Sequence, residues 1–198
     1  MNTLTNSIRP ALSIFVLLTA ITGVAYPLLV TGIAQVAFAH QANGSIVTVD
    51  GKAVGSMLIG QSFSAPKYFW SRPSATGPMA NNGIASGGSN LGANNPALAD
   101  AVKDRIAALR TADRGNAHAV PIDLVTASGS GLDPEISLAA AIYQAPRIAR
   151  ERGLAVESVL ALIERHAQRP WLGVVGEPRV NVLALNLELD GKTVAERR

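Results

Sequence analysis

The sequence predicts an α+β protein: a single N-terminal transmembrane helix followed by one loop-rich α+β extracytoplasmic domain. Three observations carry that reading. The stretch Ala11 to Ala39, ALSIFVLLTAITGVAYPLLVTGIAQVAFA, contains no Asp, Glu, Lys or Arg. Beyond it, short alternating apolar runs are mixed with segments of helical period. Most of the 18 glycines and 11 prolines also fall beyond it, which predicts long connections between short elements.

As a helix, Ala11 to Ala34 extends roughly 36 Å, enough to cross a hydrocarbon layer of about 30 Å with some tilt. Lipid offers no partners to backbone amides, so a lone segment crosses it as a helix. Pro27 lacks a donor, so a kink is expected there, with the carbonyl near Gly23 covered by a neighbour. A cleaved signal would account for Ala37-Phe38-Ala39 as a small-x-small site, but the apolar run is too long and its leader offers only Arg9. A core helix is a second alternative, but a helix this long and apolar all round is hard to bury in so small a chain. Arg9 precedes the run and no Lys or Arg follows before Lys52, which places the N-terminus in the cytoplasm and the remainder outside. The expected segments are a cytoplasmic leader at 1–10, the span at 11–35 and a soluble domain at 40–198, with Pro10 in the helix's first turn.

The formal net charge is +3 and scattered along the chain, so nucleic acid finds no basic stripe to bind. There is no cysteine, which excludes disulfides and thiolate metal sites. In the domain, Ile46-Val47-Thr48-Val49 and Ala53 to Ile59 flank Asp50-Gly51 and predict a hairpin. Tyr68-Phe69-Trp70 reads as a short strand. Ser74 to Asn95 is a low-complexity run too long for an ordinary connection, and such loops are usually functional or disordered. Asn95 and Pro96 open a helix whose face is Leu98, Val102, Ile106 and Leu109. A strand is expected over Ile122 to Thr126. Asp133 as cap, Pro134 and Glu135 begin a second helix that meets Pro146 and stops at Gly153. A third covers Val156 to His166. Val180 to Leu189 has mixed signals, with Asn181 as a cap and Gly191 as a stop favouring helix.

Chemical motifs are scarce. Gly191-Lys192-Thr193 is preceded by Asn186 where a phosphate loop requires glycine, and its order is not that of a phosphorylated P-type aspartate. Ser86, Gly87, Gly88, Ser89 and Asn90 lead towards a helix at Pro96, the layout of an anion-binding loop, but contain no lysine. Ser128 and Ser130 with His118 or His166 and Asp123 outline a triad, but Ser128 occupies the first glycine position of the nucleophile elbow. His40, His118 and His166 have no ligand spacing, so no metal site is expected. Glu177-Pro178-Arg179 suggests an ion pair at a turn. These residues predict no catalytic site. Thr19, Gly23 and Pro27 recur every four residues and would let another helix approach closely.

Several blocks together resemble a family. They are Arg9-Pro10-Ala11-Leu12, Tyr26-Pro27-Leu28-Leu29, Gln41-Ala42-Asn43-Gly44-Ser45, Leu58-Ile59-Gly60-Gln61 and Tyr68-Phe69 with Arg72-Pro73-Ser74-Ala75. Further along come Ser86-Gly87-Gly88-Ser89-Asn90-Leu91, Leu124 to Asp133, Val180-Asn181-Val182 and Leu185-Asn186-Leu187. In this order they are similar to the C subunit of the bacterial Kdp potassium-transporting ATPase. The resemblance implies a non-catalytic subunit of an ATP-driven potassium importer, with a channel-like subunit and a P-type ATPase subunit as partners. It also implies two roles, stabilising the assembly and acting as a catalytic chaperone that raises the ATPase subunit's affinity for ATP. The subunit would have no cofactor of its own, while the complex uses ATP, Mg and K+. It would sit single-pass in the bacterial inner membrane, in contact with the bilayer, its domain periplasmic.

An external domain cannot touch cytoplasmic ATP. In that placement Thr19, Gly23 and Pro27 in the span, and Ser128, Gly129, Ser130 and Asp133 in the domain, are partner-docking candidates. The domain loops also suit a place over the ion entrance, where their oxygens would make weak contacts to a hard cation. In a cytoplasmic placement, Ser86, Gly87, Gly88, Ser89 and Asn90 become the nucleotide candidates. The alternative is a membrane-tethered periplasmic hydrolase or binding module.

Overall fold

The computed structural model describes residues 3–170 and 176–192; Thr193 and the rest of the C-terminal end of the expected domain lie outside the described residues. The chain divides into two compact units, one ending at Ser45 and one beginning at Ile46.

In the first unit, α1 (Thr3–Ala20), a π-helical turn (Ile21–Ala25) and α2 (Tyr26–Ala37) follow one another without a break. The helix begins before the expected Pro10, which lies inside it. Ser7–Ala37 is long and apolar enough to cross a membrane, and is the one such helix among the described residues. A π-helical turn stands immediately before Tyr26 and Pro27. The Tyr26 amide reaches back five residues to the Ile21 carbonyl, so the backbone widens for one turn just before the proline. A short α3 (Ala39–Ala42) ends the unit.

The second unit is α+β. β1 (Ile46–Val49) and β2 (Lys52–Ser56) form the expected hairpin, with Asp50 and Gly51 both at positive φ (51° and 75°). α4 (Pro96–Ala112) begins as read, with the Asn95 side chain accepting from the Ala97 amide at 3.0 Å. Residues 122–126 are not a strand: after Pro121 the chain makes a 3-10 turn (Ile122–Leu124), and the Thr126 amide and hydroxyl both return to the Ile122 carbonyl.

The second helix begins later than its local signals indicated. Glu135–Ser137 is β3, antiparallel to β4 (Arg179–Asn181), with Ile136 opposite Val180 and both fully buried. α5 (Leu138–Arg152) therefore starts after Ser137, whose hydroxyl accepts from the Ala140 amide, and Asp133 is not its cap. Pairing with a distant strand outweighs the Asp-Pro-Glu start signal. Pro146 lies inside α5, and Gly153 ends it in left-handed backbone. α6 (Val156–His166) matches its expected bounds, and the mixed run from Val180 divides: Val180 and Asn181 end β4, while α7 (Val182–Leu189) is helix, capped by Asn181. The main core joins α5, α6, α7, β3 and β4 around Ile136, Ile148, Ile163 and Leu185, and the hairpin's Val47 packs on Leu183 and Leu187 of α7.

Candidate functional site

Two loops rich in serine and glycine, far apart in sequence, are folded against each other. The Gly87 amide donates to the Ser130 carbonyl at 2.8 Å, and the Ser86 hydroxyl donates to the same oxygen at 3.0 Å. A Cβ at Gly88 would lie 2.9 Å from the Gly129 carbonyl oxygen. Gly131, at φ +68°, sits so close to Thr76 and Gly87 that a side chain there would meet atoms at 2.5 and 2.6 Å. Ser128 is buried beneath, its amide bonded to the Pro73 carbonyl. The structure thus brings Ser86, Gly87 and Gly88 together with Ser128, Gly129 and Ser130, while Ser89 and Asn90 stand exposed beyond the clasp.

The run Ser74 to Asn95 has no helix or strand, yet it is tied down. The Ser74 hydroxyl donates to the Gly131 carbonyl at 2.6 Å and accepts from the Asn81 amide, and Thr76 bonds the Met79 carbonyl and the Asn82 amide. Small polar side chains take the place of a regular ladder. The same loop leaves Met79 exposed and Ile84 almost entirely in solvent, at 99%.

For an anion, this arrangement leaves few free donors. The Gly87 amide and Ser86 hydroxyl are already engaged, and Asn95 caps the start of α4. Asp123 accepts from the Ser137 amide and hydroxyl, and among the described residues no histidine bonds to Ser128 or Ser130. His166 instead pairs with Glu188, beside Arg165. Among the described residues no three potential ligands gather for a metal. Asp133 accepts from Arg72 at 2.9 Å and from the Glu135 amide, so it fastens the loop to the strand segment. Arg179 reaches across the strand pair to Glu135 at 2.6 Å, not to its neighbour Glu177. In the first unit, Gly23 lies over Thr19, with room for a Cβ 3.9 Å from the threonine methyl.

A family model described as "K+-transporting ATPase, c chain" matches residues 8–191. The chain belongs to the KdpC family. Its relatives include the potassium-transporting ATPase KdpC subunit of Janthinobacterium sp. (strain Marseille), 65% identical over 93% of this chain and 98% of the relative. That of Variovorax paradoxus (strain S110) is 65% identical over 96% of this chain and 98% of its own length.

The sequence reading of this KdpC-family chain overlooked three buried polar side chains. Tyr68-Phe69-Trp70, read as a strand, pairs with no strand. Asn186 bonds both the amide and the carbonyl of Phe69, at 2.8 and 3.0 Å, and Gln144 does the same for Trp70, at 2.8 and 3.2 Å. Two side-chain amides thus replace a neighbouring backbone. Arg147 completes the set by donating to the carbonyls of Pro66 and Tyr68 and to Gln144, with its guanidinium 4.8 Å from the Trp70 ring centre. Burial pushes the Arg147 guanidinium down to about 10, so it remains charged at neutral pH. A glutamine and an arginine one turn apart on an otherwise apolar helix face were the available signal.

Proposed function

We propose that this chain is a non-catalytic subunit of an ATP-driven potassium import complex and serves as a docking piece for the complex's other subunits. The carrying observation is the loop Ser74 to Asn95. It is fixed by its own hydrogen bonds and by the second serine/glycine block, yet it holds Met79 and Ile84 out to solvent. A rigid loop with exposed apolar side chains loses little entropy on binding and gains from their burial. The relatives' name, potassium-transporting ATPase KdpC subunit, supplies the setting.

In this reading Ser7–Ala37 spans the bacterial inner membrane with the N-terminus cytoplasmic, and the domain lies in the periplasm. The partners are a channel-like potassium-binding subunit and a P-type ATPase subunit. ATP, Mg and K+ are handled by the complex, and this chain holds none of them. Thr19, Gly23 and Pro27 face a partner helix. Holding the assembly together is the chain's direct role. Any gain in ATP affinity is conveyed through the ATPase subunit, because a periplasmic domain does not meet the nucleotide.

Ile84→Asp tests docking. The side chain makes no packing in the isolated domain, so the thermal midpoint stays unchanged, while co-purification with the complex and potassium uptake at low concentration both fall. Full recovery and normal uptake overturn the docking role. Gly23→Leu lowers co-purification if the span packs on a partner helix, and unchanged recovery in detergent rejects that contact. The effect on nucleotide is read separately as the KM for ATP of the complex assembled with and without this chain, and is expected to be higher without it.

A further inference from the structure

A solvent-open pocket of about 220 Å³ lies between α4 and the segment following Trp70. Its walls are Phe63, Trp70, Leu109 and Leu124, and two arginines, Arg72 and Arg105, also line it. The two cations are not balanced alike. Arg72 is matched by Asp133 through Nη1, but its Nε is buried and has no hydrogen-bond partner among the described residues. Arg105 donates Nη1 to the Val125 carbonyl at 2.8 Å, and among the described residues no carboxylate pairs with it. Burial lowers its pKa, with no acidic neighbour acting in the opposite direction. One partly buried positive charge, that of Arg105, is therefore left over beside an apolar wall.

We propose that this pocket binds a monocarboxylate with a short apolar body. One uncompensated charge calls for a monoanion, since a phosphate dianion would exceed it. The unused N–H groups of Arg105 suit carboxylate oxygens, which accept charge-assisted hydrogen bonds strongly. The wall of Phe63, Trp70, Leu109 and Leu124 takes the aliphatic or aromatic remainder. A pocket this small holds a single side chain or a small organic acid. The carboxylate is supplied either by an acidic side chain of a partner subunit or by a free acid.

The test uses 4,4,4-trifluorobutyrate and its fluorine signal with the full chain in detergent. The wild-type chain broadens the line, and butyrate reverses the broadening while butyramide, of the same shape without the charge, does not. Arg105→Gln in the same detergent weakens the effect at least about tenfold, the loss of one charge-assisted contact, and Arg105→Lys retains part of it. No broadening by the wild-type chain overturns the site, as does equal broadening by Arg105→Gln or equal competition by butyramide. None of these outcomes depends on membership of the complex. In the assembled complex, which rests on the function proposed above, persistent broadening identifies a free acid. Broadening by the isolated chain that vanishes on assembly identifies a partner's carboxylate.

Discussion

Arg147 brings a guanidinium into the core and aims its donors at the backbone of residues 66–68. Substitution by methionine keeps much of the volume but leaves the Pro66 and Tyr68 carbonyls without this donor and removes one of the two donors to the Gln144 Oε1. Arg147→Met should cost about 3 kcal/mol in a urea titration. Trp70 fluorescence should shift as the ring loses its cation. Two glycines of the second serine/glycine block give a sharper contrast. Gly131 has positive φ and no room for a Cβ, whereas a Cβ at Gly129 meets nothing within 4 Å. Gly131→Ala is expected to lose about 3 kcal/mol and Gly129→Ala less than about 1 kcal/mol, measured by the same titration.

Glu188 provides a pH test. Hydrogen bonds from Arg165, then from His166, hold its carboxyl below the usual value of 4.5. A carboxylate depressed in the folded state stabilises the fold above its unfolded value, and that contribution is lost as pH falls through the folded one. The gap in urea midpoint between wild type and Glu188→Gln should therefore be full above 4.5 and shrink as pH is lowered below it. A gap that does not change with pH would mean the contacts at Glu188 contribute by packing alone.

At the scale of elements, α5 and β3 show where local signals gave way. The Asp133-Pro134-Glu135 start is a sound helix opening by itself, but Ile136 lies opposite Val180 in a fully buried pair. That partner lies too far along the chain for a local pattern to reveal. The cap passes to Ser137, whose hydroxyl accepts from Ala140 and donates to Asp123. Ser137→Ala should therefore lower stability by about 1–2 kcal/mol, read as a drop in the thermal midpoint of the helical circular dichroism signal. The hairpin, α4, α6 and α7 were legible because each carries its own signals: Asp50-Gly51, Asn95-Pro96, the apolar face of 156–166, and Asn181 with Gly191. The Tyr68–Trp70 segment was misread because a run of aromatics fits a strand, while its actual partners, Gln144 and Asn186, belong to helices. The clasp between residues 86–88 and 128–130 was not legible either. Both blocks stood out as glycine-rich, but neither encodes that the other is its partner.

At the scale of the whole molecule, the decisive quantity is the side of the membrane on which the second unit lies. The span Ser7–Ala37 carries a single early arginine, Arg9, and no Lys or Arg follows before Lys52. A bias of one charge orients a helix only modestly. The chain contains no cysteine, so one introduced thiol reports its own side without background. Lys52→Cys lies at the exposed end of the hairpin and should react with a membrane-impermeant maleimide added to cells with a permeabilised outer membrane. Asn2→Cys should react only after the inner membrane is opened. The reverse pattern would bring the Ser86 to Asn90 loop to the cytoplasmic side, within reach of ATP. The loop's role would then have to be sought in nucleotide contact, and docking over the ion entrance would be excluded.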